Sequence, residues 1–175
     1  MNKRIEWKSL LPYVVAIVTF YVICVIFFNP LLEGKRLKQA DIMSHKGMSK
    51  DIVDHREKYG EEPYWTDGMF SGMPAYLISV QYKSNFIKGL NHLFQGFLPK
   101  PAGMVFLYMI GFFILLLTLR INSWLSIVGA IAFAFSSYFF IILEAGHNTK
   151  AIAIGYMAPV LAGVILTYRG KYWLG

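Results

Sequence analysis

The 175-residue chain contains four apolar runs without a single charged residue, at residues 10–28, 102–119, 123–143 and 151–168. The first run has 19 residues. As a helix it would reach about 28 Å, close to the roughly 30 Å of a bilayer's hydrocarbon core. Because lipid offers no partner to a bare backbone, such runs cross a membrane as helices. The sequence therefore predicts an all-α fold, a polytopic bundle of four transmembrane helices.

The composition agrees with a membrane protein and excludes an ordinary soluble enzyme. Hydrophobic residues make up 56% of the chain and charged residues 15%, whereas a soluble domain carries about 25% charged residues. Cys24 is the only cysteine, which excludes an internal disulfide and a cysteine-rich zinc site. The net charge of +7 raises the possibility of a nucleic-acid partner, but the positions of the basic residues explain it better.

Short basic segments flank the apolar runs. They contain Lys3, Arg4 and Lys8 before the first run, Arg120 after the second, and Arg169 and Lys171 after the fourth. If the chain crosses four times, all of them lie on one side, and the positive-inside rule makes that side the cytoplasm. Residues 1–28 then form a cytoplasmic N-terminus with the first helix, residues 29–101 an extracytoplasmic loop, and residues 102–175 the other three helices and the start of a possible fifth. The charge is thus anchoring charge, and no nucleic-acid partner is predicted.

The first run has an alternative interpretation as a secretory signal, since basic residues precede it. Its length exceeds the usual 7–15 apolar residues, and the following Asn-Pro-Leu-Leu-Glu at 29–33 lacks a small-x-small cleavage site. An uncleaved membrane anchor is therefore favoured.

The predicted outer loop of 73 residues is the main polar part of the chain, with ten Lys/Arg and eight Asp/Glu. Residues 39–59 have a helical pattern that Gly60 would end, and Gly47 could divide it into two short helices. Residues 86–97 form a second amphipathic stretch. Both stretches are of the kind that lies on a membrane surface. Residues 61–76 are rich in turn residues and aromatics, which predicts an ordered loop.

Acid–base chemistry is expected in the loops, because the four apolar runs contain no Asp, Glu, Lys, Arg or His. Asp41 and His45 are four residues apart and would share a helix face. One hypothesis makes Asp41 a general base at the membrane surface, with His45 as its hydrogen-bond partner. The alternative is an aspartate that only stabilises the N-terminus of a helix through the macrodipole.

The second predicted outer loop contains His147 and Lys150. One hypothesis makes them a pair that binds a phosphate or carboxylate; the alternative is a polar turn. Lys150 is poorly placed at the positive end of a helix unless an anion offsets it, which strengthens the first hypothesis but leaves the polar turn favoured. Both outer loops face the same compartment, so their ionisable residues can meet.

Motifs across nearly the whole chain resemble those of the YfhO-like bacterial membrane protein family. They are Gly-Lys at 34–35, Gln-Ala-Asp-Ile at 39–42, Lys-Gly-Met at 46–48, Tyr-Gly-Glu-Glu-Pro-Tyr-Trp-Thr at 59–66, Met-Phe-Ser-Gly-Met-Pro-Ala-Tyr at 69–76, Leu-Pro-Lys-Pro at 98–101, Leu-Arg-Ile-Asn at 119–122 and Ala-Gly-His-Asn-Thr-Lys at 145–150. The combination is more specific than any single motif. Ser71 departs from the pattern, because glycine is expected there.

That family resembles the GT-C superfamily of polytopic glycosyltransferases. The resemblance implies a bacterial inner-membrane enzyme that takes sugar from a polyprenyl-phosphate donor and passes it to a cell-envelope acceptor. In that superfamily an acidic residue of the first outer loop acts as the catalytic base or activates the acceptor, and Asp41 matches its position. His147 and Lys150 match the second-loop motif, and we infer a contact between Lys150 and the donor phosphate.

The resemblance also sets the limits of these expectations. Family members are several times longer than this chain, which leads us to expect an N-terminal fragment without most of the substrate cavity.

A divalent cation is conceivable as a cofactor, but no ligand spacing establishes one. The alternative function is that of a non-enzymatic membrane scaffold, or of a subunit that handles lipid or polysaccharide.

Overall fold

The structure is a computed structural model that describes residues 7–81, 85 and 87–175. Lys3, Arg4 and Phe86, which the sequence analysis singles out, lie outside the described residues, and so does the side chain of Lys8. The described chain is mostly helical, as the apolar runs predict. The helices are α1 (Trp7–Phe27), α2 (Asn29–Leu32), α3 (Ala40–Met48), α4 (Lys50–Tyr59), α5 (Ile87–Phe94), α6 (Ala102–Thr118), α7 (Ser123–Ala134), α8 (Ser137–Ala145) and α9 (Asn148–Tyr168).

The long helices alternate in direction. Tyr13 and Tyr21 of α1 lie edge-on to Phe113 and Phe106 of α6, so these two helices are antiparallel. Phe112 of α6 stacks on Phe133 of α7 with ring centroids 4.1 Å apart. The bundle therefore has two ends: the loop end, formed by residues 29–41, 98–101 and 146–150, and the basic end, formed by Arg120, Arg169 and Lys171.

The basic end brings together residues that the sequence analysis grouped by charge alone. Arg120, Arg169 and Lys171 line one cavity beside Tyr13. The Arg169 guanidinium donates to the carbonyl of Thr118, and this bond ties the end of α9 to the end of α6. The basic residues that follow the second and the fourth apolar runs thus lie at the same end of the bundle.

Helix α6 lies at the centre, and small residues let α9 approach it closely. A Cβ on Gly111 would lie 2.9 Å from the Gly155 carbonyl oxygen and 2.9 Å from Pro159 Cδ. Pro159 has no N–H to donate to the carbonyl of Gly155, four residues before it in α9. The Gly155 carbonyl therefore lacks its usual helical donor, and it faces the backbone of Gly111. Such small-residue contacts are typical of helix pairs in membranes.

The third predicted span is interrupted. Residues 123–143 form α7 and α8, which meet at a 45° bend around Phe135 and Ser136. Ser136 is the extended residue that precedes α8. Serine favours the ends of helices because its hydroxyl competes for backbone hydrogen bonds. The expectation of one uninterrupted helix over this run is therefore corrected.

Among the described residues, two helices are long and apolar enough to cross a membrane, α1 over Leu10–Phe27 and α9 over Asn148–Tyr168, with α7 and α8 as a third if the bent pair is one span. Helix α6 is apolar throughout but has 17 residues, which reach about 25 Å. These helices mark the chain as a membrane protein.

Residues 40–59 are helical and divided in two, as the sequence predicts, but Gly47 lies inside the first helix and the division falls at Ser49. Helices α3 and α4 meet at Ser49, and Gly60 ends α4 in the left-handed conformation at φ 74°. Beyond it, β1 (Trp65–Thr66) pairs antiparallel with β2 (Met73–Pro74), followed by a 3-10 turn at Ala75–Leu77. Ser71 has φ 60°, a conformation that favours the glycine expected there. The second amphipathic stretch forms α5, which exposes Ile87, Leu90 and Leu93.

Candidate functional site

The two loops that the sequence analysis expects to meet do meet, at the loop end of the bundle. The contact joins the start of α3 to the turn between α8 and α9. Gly146 occupies that turn with φ 99°, and a Cβ there would lie 3.1 Å from Gln39 Cβ and 3.3 Å from Asp41 Cβ. The Gln39 amide donates to the carbonyl of Leu143 and lies 3.4 Å from Asn148 Oδ1. Glycine at 146 and the amide at 39 thus fix where Asp41 lies.

Asp41 faces a histidine that is distant in sequence. Its Oδ2 is 3.2 Å from Nδ1 of His147, and the two side chains are 53% and 51% exposed. An ionised carboxylate can only accept a hydrogen bond, so Nδ1 of His147 would be the donor of any hydrogen bond between the two groups. This half-exposed pair contributes little stability, about 0.2–1 kcal/mol, and it places an imidazole beside the carboxylate of Asp41.

Asp41 also occupies the first turn of α3, where a negative charge is stabilised by the partial positive charge of the helix N-terminus. This position is the one that the structural interpretation of Asp41 predicts, and the functional interpretation stays a prediction. What the helix terminus does not explain is the position of His147 opposite the same carboxylate.

His45 lies one turn after Asp41 on α3 and lines the same cavity. Its Nε2 is 3.2 Å from the carbonyl oxygen of Ile78. The imidazole that approaches Asp41 is that of His147, so His45 does not have the partner that its spacing suggested. It instead ties α3 to the chain that follows the 3-10 turn.

Lys150 lies in the first turn of α9, with its ammonium nitrogen 5.3 Å from the centre of the Tyr138 ring. A cation over an aromatic face is stabilised by the ring quadrupole, by about 0.5–1 kcal/mol at exposed sites. Tyr138 holds the lysine at a helix terminus that would otherwise repel it. The ammonium is exposed and can still contact an anion.

These residues surround a cavity of about 670 Å³ at the loop end. Its lining includes Asp41, His45, His147 and Lys150, so the structure brings together all four residues singled out from the sequence. One wall of the cavity has a carboxylate beside an imidazole, and another has a cation. Together, these four side chains can accept a proton and bind an anionic group within one cavity.

Two residues that contribute to the site were not predicted from the sequence. Gln39 holds α3 against α8, and its signal was its place beside Asp41 in the Gln-Ala-Asp-Ile motif. Tyr138 lies under Lys150, and no local signal identified it, because it is an ordinary aromatic residue of an apolar run. Within the described part of the chain, no group of three or more His, Cys, Asp or Glu side chains is placed to hold a metal ion.

Comparison of the chain with protein-family models, with curated proteins and with solved structures finds no match.

Proposed function

We propose that this chain carries the catalytic base of an integral membrane glycosyltransferase that uses a polyprenyl-phosphate-linked sugar at the outer face of a bacterial inner membrane. The chain would cross four times, by α1, α6, the bent pair α7–α8 and α9. The alternating directions of these helices and the shared basic end support that topology. The single observation that carries the proposal is the 3.2 Å approach of Asp41 to His147.

Asp41 would take the proton of an acceptor hydroxyl as the hydroxyl oxygen attacks the sugar's anomeric carbon. The bond from that carbon to the phosphate oxygen breaks, and polyprenyl phosphate leaves with the electron pair. The new charge develops on the phosphate, where a nearby cation stabilises the transition state. Lys150 lines the same cavity as Asp41 and is the cation placed for this role. His147 would orient the carboxylate.

The test is sugar transfer in membranes by the full-length form of the protein, with a panel of polyprenyl-phosphate sugars as donors. Asp41→Asn keeps the shape of the side chain but cannot accept the proton, and loss of a general base lowers rates about 10²–10⁴-fold. The matched control is Asp54→Asn, an exposed carboxylate of α4, which should keep wild-type transfer. Labelling should find the same topology in both variants. Normal transfer by Asp41→Asn would remove Asp41 from the mechanism.

The alternative is a non-enzymatic scaffold or a lipid-handling subunit. The observation in its favour is the half-exposed state of both Asp41 and His147, since catalytic pairs are commonly enclosed. A scaffold predicts that Asp41→Asn and Asp54→Asn are equally tolerated in every assay of envelope assembly. An enzyme predicts that Asp41→Asn alone fails.

A further inference from the structure

A second cavity at the loop end is lined by basic side chains. It has a volume of about 640 Å³, and its five cations are Lys35, Arg36, Lys38, Lys46 and Lys100. Three lie between α2 and α3, one on α3, and one just before α6. We call it the basic pocket. It is separate from the cavity around Asp41, although Ile42 of α3 lines both.

The basic pocket has an excess of positive charge that the protein does not neutralise locally. Among the residues that the structure describes, no Asp or Glu lines it. Glu33 reaches Lys35, with Nζ and Oε2 2.8 Å apart, which leaves four of the five cations without that compensation. Like charges repel and are held together here only by the fold, so an anion in the pocket would stabilise them.

The position and the rim of the pocket indicate which anion it would take. Leu31 of α2 and Pro99 contribute to its wall. Helix α2 follows directly on α1, which is long enough to cross a membrane, and Pro99 stands just before α6. Leu37, Ile42 and Met43 add apolar surface beside the cations. A cationic cluster with an apolar rim at the end of a membrane helix is the arrangement that binds lipid headgroups.

We propose that the basic pocket binds the phosphate group of an anionic membrane lipid at the loop end of the bundle. The phosphate would lie among Arg36, Lys38, Lys46 and Lys100, and the acyl chains would follow the apolar rim. Arg36 would supply paired N–H donors to two phosphate oxygens, and the lysines would act as point charges. The inference does not rest on the catalytic proposal, because no pocket cation contacts Asp41 in the described structure.

The test measures lipid binding to the full chain in detergent micelles by native mass spectrometry. Phosphatidylglycerol is the anionic probe, phosphatidylcholine the neutral one, and inorganic phosphate the soluble one. Each Lys or Arg near an anionic surface is worth roughly a fivefold change in binding. Arg36→Gln with Lys38→Gln should therefore weaken phosphatidylglycerol binding about 25-fold. Lys46→Gln with Lys100→Gln should do the same by an independent pair.

The matched control is Lys50→Gln with Lys58→Gln, two exposed lysines of α4 outside the pocket lining. It should bind phosphatidylglycerol as the wild type does. Asp41→Asn should also keep full binding, which separates this inference from the catalytic proposal. Equal loss in the pocket and control variants would overturn the inference, because it would reflect net charge alone. Inorganic phosphate binding as tightly as the lipid would overturn the lipid assignment.

Discussion

Replacement of Gly146 by alanine should detach α3 from the turn that positions His147. Gly146 has φ 99°, and a left-handed residue with a Cβ costs about 1–2 kcal/mol. The added Cβ would press on Gln39 and Asp41 at 3.1 and 3.3 Å. Because the crowding falls on Gln39, it also disturbs the bond of Gln39 to the Leu143 carbonyl within the closed arrangement, at a cost of about 1 kcal/mol. These two terms together destabilise the closed arrangement by about 2–3 kcal/mol.

Hydrogen–deuterium exchange of the α3 amides measures this effect directly, because local opening exposes them. A change of 2 kcal/mol corresponds to roughly 30-fold faster exchange. Gly47→Ala is the matched control in the same helix, since a Cβ there would meet nothing within 4 Å. It should slow exchange, because alanine favours a helix by about 1 kcal/mol over glycine. Wild-type or slower exchange in Gly146→Ala would refute the argument that Gly146 sets the approach of the two loops.

Three further predictions concern single positions. Gly111→Ala should lower the stability of the purified chain in micelles by about 1–3 kcal/mol through overpacking against α9, measured by thermal unfolding. Ser71→Gly should raise loop stability by about 1 kcal/mol by relieving the left-handed backbone, measured by the exchange of amides 64–75. Asp51 accepts a hydrogen bond from the Thr66 hydroxyl, which lowers the pKa of its carboxyl below 3.8. Because the pKa of Asp51 is lower in the folded protein than in the unfolded chain, the ionised carboxylate stabilises the fold. This stabilisation is fully present above pH 3.8 and is lost as the pH falls through the folded-state pKa of Asp51. The Asp51→Asn variant should therefore lose this acid sensitivity, as followed by Trp65 fluorescence.

For each of these variants, one result would contradict the prediction. Unchanged melting of Gly111→Ala would mean that α6 and α9 do not touch at this glycine. Ser44→Gly, in the helical part of α3, should destabilise, and a matching loss in Ser71→Gly would show that residue 71 is not left-handed. Equal acid sensitivity of wild type and Asp51→Asn would place the titrating carboxylate elsewhere.

The candidate site and the basic pocket share the start of α3 as a common wall. Ile42 contributes to both cavities, and Gln39 lines the basic pocket while its amide reaches α8. A lipid phosphate in the basic pocket would therefore lie on the other side of α3 from Asp41. If both proposals hold, detachment of α3 in Gly146→Ala should weaken lipid binding as well as the approach of His147.

Local pattern in the sequence determined the helices. A long apolar run without charge has only one way to satisfy its backbone in lipid, so α1, α6 and α9 could be placed to within a few residues. Gly60 was identified as a helix stop because it tolerates the left-handed conformation that ends α4. The break at Ser136 was not foreseen, since the apolar pattern continues through it and a serine pair is compatible with either a helix or a bend.

Tertiary structure alone decided which polar residues meet. Asp41 and His147 belong to different loops, and the sequence could say only that both loops lie on one side. Their 3.2 Å separation depends on Gly146, which lets α3 approach, and on the close packing of α6 and α9, which sets where α9 begins. The same holds for Tyr138 beneath Lys150 and for Lys46 and Lys100, which line one pocket. Local propensity acts over a few residues, whereas these distances are set by how whole helices pack, and no short pattern encodes that packing.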